Sequence, residues 1–210
     1  RIIGTHLMAS PDQWAEVISL FAKELPTTLS DLISASDNIS AALPSTAPIY
    51  RFGFLRNVTL EGIEPYLRYH MLMAGMRMDL VFGGYGSMRQ DLMLSDAPLV
   101  RLRPDMLVTA FMLEELDARY GLPGWDAASA REELGKVFDI MMASEVPIIA
   151  LNTFVVPFRS ETGFRVASSD ITSEVIRLND FVRNFVREHS PRFCLMDWNR
   201  LAHRIGEAEA

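Results

Sequence analysis

A chain of 210 residues is long enough for one large domain, or for a domain with an appendage. Its composition, 49% hydrophobic and 22% charged, is that of a globular protein with a sizeable core. The net charge of −7 and the lack of a basic run argue against nucleic acid as a partner. No apolar run reaches the roughly 18 to 20 residues that a membrane span requires, and the single cysteine, Cys194, excludes a disulfide within the chain. A cytoplasmic protein without a membrane partner is the default expectation.

The beginning of the chain predicts a helical hairpin rather than a sheet. Residues 1–9 have no clear pattern and are interpreted as a possible remnant of an expression tag. Ser10 then starts a helix of capping-box type, and apolar residues recur at helical spacing as far as Pro26. A second helix is predicted over residues 28–43. The hairpin and its linker therefore occupy residues 10–48.

From residue 49 onward, short apolar runs alternate with amphipathic stretches, and we interpret residues 49–210 as one α/β domain. Strands that alternate with helices predict a parallel sheet covered on both faces. Five strands fit the order 2-1-3-4-5, in which the strand order reverses between the first and third strands. The predicted strands are 49–55, 78–82, 106–111, 147–151 and 192–196; the predicted helices are 61–74, 88–94, 127–144, 171–188 and 198–205; 117–125 and 152–168 are predicted to be irregular.

The strand ends are where a ligand is expected. In open parallel sheets, ligands bind beyond the carboxyl ends of the strands, at the point where the strand order reverses. The sequence therefore predicts a crevice lined by residues 56–59 and 111–115, with residues 83–87 and 152–154 at its sides. The candidate ligand-binding residues in these segments are Arg56, Asn57, Thr59, Gly84, Glu114 and Asn152.

Two asparagines form the best polar pair of the predicted crevice. Asn57 ends the first predicted strand and Asn152 ends the fourth. Their amides could hydrogen-bond a ligand or an oxyanion, or they could cap loops through their side chains. Both interpretations remain open. Glu114 could serve as a base, or it could belong to a solvated helix start.

Strong catalytic motifs are absent from the sequence. The turn 83–86 lacks the spacing of a dinucleotide fingerprint, and neither a P-loop nor a Gly-x-Ser-x-Gly elbow is present. The four histidines do not have the spacing of metal ligands, so no metal site is expected. Cys194 lies within a predicted strand, where a cysteine is usually inert. No catalytic residue is assigned.

Several short blocks, in the right order over roughly residues 49–206, resemble the N-terminal domain of FkbH-like proteins. The blocks are Phe54-Leu-Arg-Asn-Val-Thr-Leu-Glu-Gly-Ile-Glu-Pro-Tyr-Leu-Arg-Tyr-His70, Ala74-Gly75, Phe82-Gly-Gly-Tyr85, Arg89-Gln90, Pro104-Asp105, Leu151-Asn-Thr-Phe154 and Leu195-Met-Asp-Trp-Asn-Arg-Leu-Ala202.

This resemblance implies a flavodoxin-like three-layer sandwich of the SGNH-hydrolase type, normally followed by a haloacid-dehalogenase-like domain. The implied joint activity is transfer of a glyceryl unit from a phosphorylated glycerate donor to an acyl carrier protein in polyketide biosynthesis, with loss of phosphate. The implied partners are the carrier protein or its phosphopantetheine arm, and the second domain. Magnesium is expected only in that second domain, whose Asp-x-Asp motif this sequence lacks, and no cofactor is expected in this chain.

The sequence departs from SGNH hydrolases at the position of their nucleophile. Those enzymes carry a serine in a Gly-Asp-Ser motif after the first strand, and the matching residue here is Asn57; an Asp-x-x-His pair near the C-terminus is also missing. Three functions therefore remain open. The chain is a binding domain for carrier or acyl donor, a divergent esterase or acyltransferase with Thr59 or Ser87 as nucleophile, or a purely structural module.

Overall fold

The computed structural model describes residues 26–122, 124–157 and 170–209, with side chains as far as residue 205. The predicted tag remnant and the first helix of the predicted hairpin lie outside the described residues. So does most of the predicted loop at 152–168.

The described residues form an α/β fold around a five-stranded sheet in the order β2-β1-β3-β4-β5, as predicted. The pairs β1–β3, β3–β4 and β4–β5 are parallel. With helices on both faces of the sheet, this is a flavodoxin-like three-layer sandwich. Each strand agrees with its predicted bounds to within one residue. The strands are β1 Ile49–Arg56, β2 Arg77–Phe82, β3 Met106–Ala110, β4 Ile148–Asn152 and β5 Phe193–Met196.

The long helices match their predicted positions, and so does the short helix predicted over residues 88–94, which covers Met88–Met93. The helix predicted over residues 61–74 is a 3-10 turn, Glu61–Ile63, followed by the helix α2, Glu64–Met73. Two other short helices, Pro98–Leu102 and Leu113–Leu116, were not predicted because one turn is too short for helical periodicity to show. None of the helices that the structure describes has the length and hydropathy needed to cross a bilayer. The helices are α1 Leu29–Ala42, α2 Glu64–Met73, α3 Met88–Met93, α4 Pro98–Leu102, α5 Leu113–Leu116, α6 Ala128–Ala143, α7 Ile171–Glu188 and α8 Trp198–Glu209.

The chain divides into two compact units, each with its own core. Among the described residues, the first unit comprises 26–51 and Leu60–Leu80, and the second comprises Phe52–Thr59 and the described residues from Val81 onward. The boundary at residue 48 therefore stays a prediction. The core of the first unit contains Leu32, Ala35, Ile39, Leu43, Tyr69 and Leu72. The core of the second is built mainly from β3, β4, α6 and α7, and includes Leu107, Leu134, Val137, Ile149, Leu151 and Leu178.

One buried carboxylate organises the irregular segment between α5 and α6. Asp117 accepts hydrogen bonds from the indole Nε1 of Trp125 at 3.1 Å and from the Arg119 side chain at 3.2 and 3.3 Å. Burial alone would raise the pKa of Asp117, but the hydrogen bonds from Arg119 and Trp125 outweigh it and lower the pKa below its usual value. The described part of this segment is irregular, as predicted, yet the side chains of Asp117, Arg119 and Trp125 hold one another in place.

At the amino ends of the strands, Arg192 holds the end of α6. Its guanidinium donates to the main-chain carbonyls of Met141 at 2.8 Å, Met142 at 2.9 Å and Val146 at 2.9 Å, and also to that of Ser144. These are carbonyls at and just beyond the end of the helix, most of which have no partner within it. The cation also suits the negative end of the helix dipole.

We expect Arg192→Met to lower the free energy of unfolding by about 2–3 kcal/mol, because hydrogen bonds to a charged group are lost and carbonyls are left unpaired. Urea unfolding at neutral pH measures the change. The matched control is Arg187→Met on α7, whose side chain donates to the exposed Asn184. The control should change stability by less than about 0.5 kcal/mol. Equal effects of the two substitutions would contradict the role given to Arg192.

Asp117→Asn should lower stability at neutral pH and have less effect in acid. Because the folded pKa lies below the unfolded value of about 3.9, the carboxylate stabilises the fold fully above pH 5 or so and loses that contribution as pH falls through the folded pKa. Thermal unfolding of the wild type and of Asp117→Asn between pH 7 and pH 3 measures the difference in stability between them. Asp139→Asn, at an exposed position of α6, is the control. A gap that stays constant with pH would refute the prediction.

Candidate functional site

The carboxyl ends of β1, β3 and β4 lie side by side, as the predicted crevice requires. Arg56 pairs with Ala110 across β1 and β3, and the Asn57 amide continues this ladder by donating to the Ala110 carbonyl at 3.2 Å. Asn152, the last residue of β4, pairs with Met196 of β5. The segments that follow these strands therefore meet at one edge of the sheet.

Asn57 ties the segment after β1 to the segment after β3. Its Nδ2 donates to the Met112 carbonyl at 2.9 Å, and its Oδ1 accepts from the Met112 amide at 2.8 Å. The residue is only 1% exposed. A carboxamide has a donor and an acceptor side by side, as a peptide group does. One side chain can therefore pair with both the amide and the carbonyl of Met112.

Asn152 ties the segment after β4 to the segment after β3 in the same way, through the main chain of Phe111. Its Nδ2 donates to the Phe111 carbonyl at 2.9 Å, and its Oδ1 accepts from the Phe111 amide at 3.0 Å. The same oxygen accepts from the Thr109 hydroxyl at 2.8 Å. The side chain is buried, and each of its polar atoms has a partner.

The two predicted amides are thus brought together through consecutive residues, Phe111 and Met112. Of the two interpretations that the sequence left open, loop capping is what these contacts show. Ligand binding by Asn57 and Asn152 stays a prediction. Direct binding would have to replace main-chain hydrogen bonds that both side chains already make.

Two further asparagines, missed by sequence reasoning, hold the segment after β4. Asn179 of α7 exchanges two hydrogen bonds with the main chain of Phe154, at 2.7 and 2.8 Å, and Asn199 of α8 accepts from the Val156 amide at 2.9 Å. The signal for Asn179 was available: it lies four residues after Val175, on the buried helix face that also carries Leu178 and Val182. A polar side chain buried in that position needs a partner.

Arg56 links the turns after β1 and β2. Its Nε donates to the Gly83 carbonyl at 3.0 Å, and its Nη1 lies 3.4 Å from the Val58 carbonyl. The guanidinium carbon lies 5.2 Å from the centre of the Phe82 ring, a cation–π geometry. Thr59, by contrast, is exposed at the same edge.

Gly84 lies against a hydroxyl–carboxylate pair. Ser87 Oγ donates to Asp91 Oδ2 at 2.8 Å, and a Cβ on Gly84 would overlap the Ser87 hydroxyl. Ser87 is half-buried and Asp91 is buried. A side chain at this position would therefore displace the Ser87 hydroxyl from its hydrogen bond to Asp91.

Of the two glutamates on α5, Glu115 reaches across to the turn after β2. It accepts a hydrogen bond from the Tyr85 hydroxyl, and partial desolvation together with this bond and the charge of Glu115 raises the pKa of Tyr85. Glu114, the candidate named from sequence, is exposed on the same short helix. A role for it as a base stays a prediction.

Asp197 follows β5 and begins α8. Its Oδ1 accepts from the Thr153 hydroxyl and from the Arg200 amide, both at 3.0 Å, and Arg183 lies 3.4 Å from its Oδ2. Burial raises the pKa of Asp197, but these contacts outweigh it and lower the pKa. The hydroxyls of Ser87 and Thr153 thus both donate to carboxylates, and neither donates to an imidazole.

The acidic, histidine and cysteine side chains of the described residues do not cluster in the way that a metal site of such ligands requires. Within 26–122, 124–157 and 170–205, no three His, Cys, Asp or Glu side chains are grouped so that they could hold a metal ion.

Burial raises the pKa of Cys194, whose Sγ lies 3.6 Å from the Ile149 carbonyl, so the thiol stays protonated at neutral pH. Two cavities of about 460 and 410 Å³, which share Arg131, Arg177 and Phe181, contain none of the candidate site residues.

Comparison with known proteins supports the fold. A similar solved structure is the N-terminal part of the protein BF1531 from Bacteroides fragilis, described as containing a phosphatase domain and complexed with Mg. The TM-score is 0.68 at 13% identity, over 87% of this chain and 48% of that one. The chain thus spans about half the length of the structure it matches, and at this identity the likeness shows the fold alone. The sequence matches no protein-family model and no curated protein.

Replacing Asn152 should test how far the strand ends depend on it. Asn152→Ala leaves the buried Phe111 amide and carbonyl without partners, and we expect a loss of about 3 kcal/mol in the free energy of unfolding. Asn184→Ala on α7 removes an exposed amide whose Oδ1 accepts from Arg187, and it should change stability by less than about 0.5 kcal/mol. Denaturant unfolding compares the two.

Asn152→Asp keeps the size of the side chain but changes the hydrogen bonds that it makes. One carboxylate oxygen would face the Phe111 carbonyl in a buried site, so the acid's folded pKa should rise above its unfolded value of about 3.9. The variant should therefore be much less stable than the wild type at pH 7.5 and recover part of the loss at pH 5. A loss that does not depend on pH would contradict this account.

Proposed function

We propose that this chain is the N-terminal domain of an FkbH-like protein, and that it helps transfer a glyceryl unit from a phosphorylated glycerate donor to an acyl carrier protein in polyketide biosynthesis. Its own part in the transfer is to bind the carrier, its phosphopantetheine arm or the acyl donor at the carboxyl ends of the strands. The proposal places the protein in the cytoplasm.

The observation that carries the proposal is where the resembling blocks fall in the fold. The block from Phe54 runs through the end of β1, and Phe82-Gly-Gly-Tyr85 follows at the end of β2. Leu151-Asn-Thr-Phe154 and the block from Leu195 span the ends of β4 and β5. These blocks therefore converge on one edge of the sheet, which is the edge where ligands bind in this class of fold.

The residue after β1 favours binding over hydrolysis at that position. Asn57 occupies the position that the resemblance gives to the nucleophile, and a carboxamide is not a nucleophile for acyl transfer. Its atoms are also engaged by Met112. In the proposal, the exposed Thr59 and the Arg56 guanidinium, which also donates to the Gly83 carbonyl, meet a phosphate or a hydroxyl of the ligand.

The proposal also implies a second domain. The Bacteroides fragilis structure contains a phosphatase domain and is about twice as long as the part that matches this chain. In our proposal, loss of phosphate from the donor is the task of such a haloacid-dehalogenase-like domain, with its magnesium.

Titration of a cognate acyl carrier protein against the chain tests the binding role. Because Asn57 is buried, replacing it would also disturb the fold, so substitutions of exposed residues are the sharper test. Glu114 lies at the proposed edge, and Glu145 lies just before β4, at the opposite edge; each is replaced by lysine. Both change the net charge equally. For an acidic carrier at low salt, Glu114→Lys should tighten binding by about threefold or more through local charge complementarity, and Glu145→Lys by less than about twofold.

Fluorescence anisotropy with a labelled carrier gives the dissociation constants. The absence of binding to the wild type would remove the carrier-docking function and leave a structural role. Equal responses of the two lysine variants would move docking away from the strand ends.

A further inference from the structure

Ser87 and Asp91 form a hydroxyl–carboxylate pair beside the end of β2 that the proposed binding function does not employ. We propose that this pair is an acyl-transfer site, in which Ser87 Oγ accepts the acyl group of a thioester and Asp91 is the general base. The site requires only an activated acyl group, so it does not depend on docking of a carrier protein.

The first step of the argument is the direction of the hydrogen bond. Ser87 immediately precedes α3, where a serine hydroxyl normally accepts a bond from a helix amide. Here the side chain makes no cap bond. It donates instead to Asp91 Oδ2 at 2.8 Å, which is the geometry of a nucleophile beside its base.

The second step is the surroundings of the carboxylate. Asp91 is 8% exposed, and Ser87 is the one hydrogen-bond partner of its carboxylate among the residues that the structure describes. The carboxylate therefore lies within hydrogen-bond reach of the serine hydroxyl, which a general base requires. Ser87 itself remains partly accessible, so an acyl group can reach its hydroxyl.

The third step is the glycine turn that covers the pair. A Cβ on Gly83 would lie 2.6 Å from Asp91 Oδ2 and 3.1 Å from the Phe54 carbonyl, and a Cβ on Gly84 would overlap Ser87 Oγ. The main chain of Gly83 therefore lies close to Asp91 Oδ2, and that of Gly84 lies close to Ser87 Oγ. Arg56 holds the turn by its bond to the Gly83 carbonyl at 3.0 Å, which fixes the approach to the serine.

The proposed chemistry is balanced without a metal or a redox partner. Ser87 Oγ attacks the thioester carbonyl carbon while its proton passes to Asp91 Oδ2. Collapse of the tetrahedral intermediate breaks the carbon–sulfur bond, and the proton on Asp91 passes to the leaving sulfur. The products are an ester on Ser87 and a free thiol. Attack on that ester by water or by a second thiol, with Asp91 again as base, completes transfer.

Incubation of the chain with an N-acetylcysteamine acyl thioester, and separately with a serine-directed fluorophosphonate, tests the site. We expect one acyl group per chain by intact mass, mapped to Ser87 by peptide sequencing. Ser87→Ala should abolish labelling. Asp91→Asn should slow it by about 100-fold, the usual size of a general-base contribution. Ser173→Ala, at an exposed position of α7, is the control and should label like the wild type.

Two glycine variants distinguish loss of the site from loss of folding. Gly84→Ala keeps both reactive residues but pushes its methyl group into the Ser87 hydroxyl, so labelling should fall at least tenfold. Gly135→Ala adds the same methyl group on α6, where nothing lies within 4 Å of it, and should label normally. Circular dichroism confirms that each variant is folded. The proposal is overturned if the folded wild type is not labelled by either reagent, or if labelling persists in Ser87→Ala.

Discussion

Two side-chain amides determine the geometry of this fold at the carboxyl ends of the strands. The first two residues beyond β3, the central strand of the sheet, take side-chain amides as the hydrogen-bond partners of their peptide groups. Asn152 pairs with the peptide groups of Phe111, and Asn57 with those of Met112. Each carboxamide takes the place of a missing strand, since it offers the same donor and acceptor as a peptide group. An unpaired main-chain group in this position would cost on the order of 1–3 kcal/mol.

The same arrangement recurs after β4. There Asn179 pairs with Phe154, and Asn199 accepts from Val156. The segments that leave two neighbouring strands are therefore held by side chains from other parts of the chain. A fixed edge of this kind favours binding and catalysis, because groups placed on it need little reordering when a ligand arrives.

Reactive groups at this edge lie on the turn after β2, away from the amide pairs. The resemblance to SGNH hydrolases points to the residue after β1, yet that residue is a buried asparagine. On the turn after β2, Ser87 combines partial accessibility with a neighbouring carboxylate, that of Asp91. The edge thus divides into a part that is structural, after β3 and β4, and a part that remains available for chemistry, after β2.

The sequence by itself determined the order of the strands and where each one ends, because alternation of apolar strands with amphipathic helices admits few parallel topologies. It also identified Asn57 and Asn152 as strand-end residues. It could not name their partners, since Phe111 and Met112 carry no sequence signal for accepting a side-chain amide. Tertiary structure alone decided that pairing, and likewise the pairing of Asn179 with Phe154, because hydrogen bonds between residues 25 to 55 positions apart depend on how the strands are brought together.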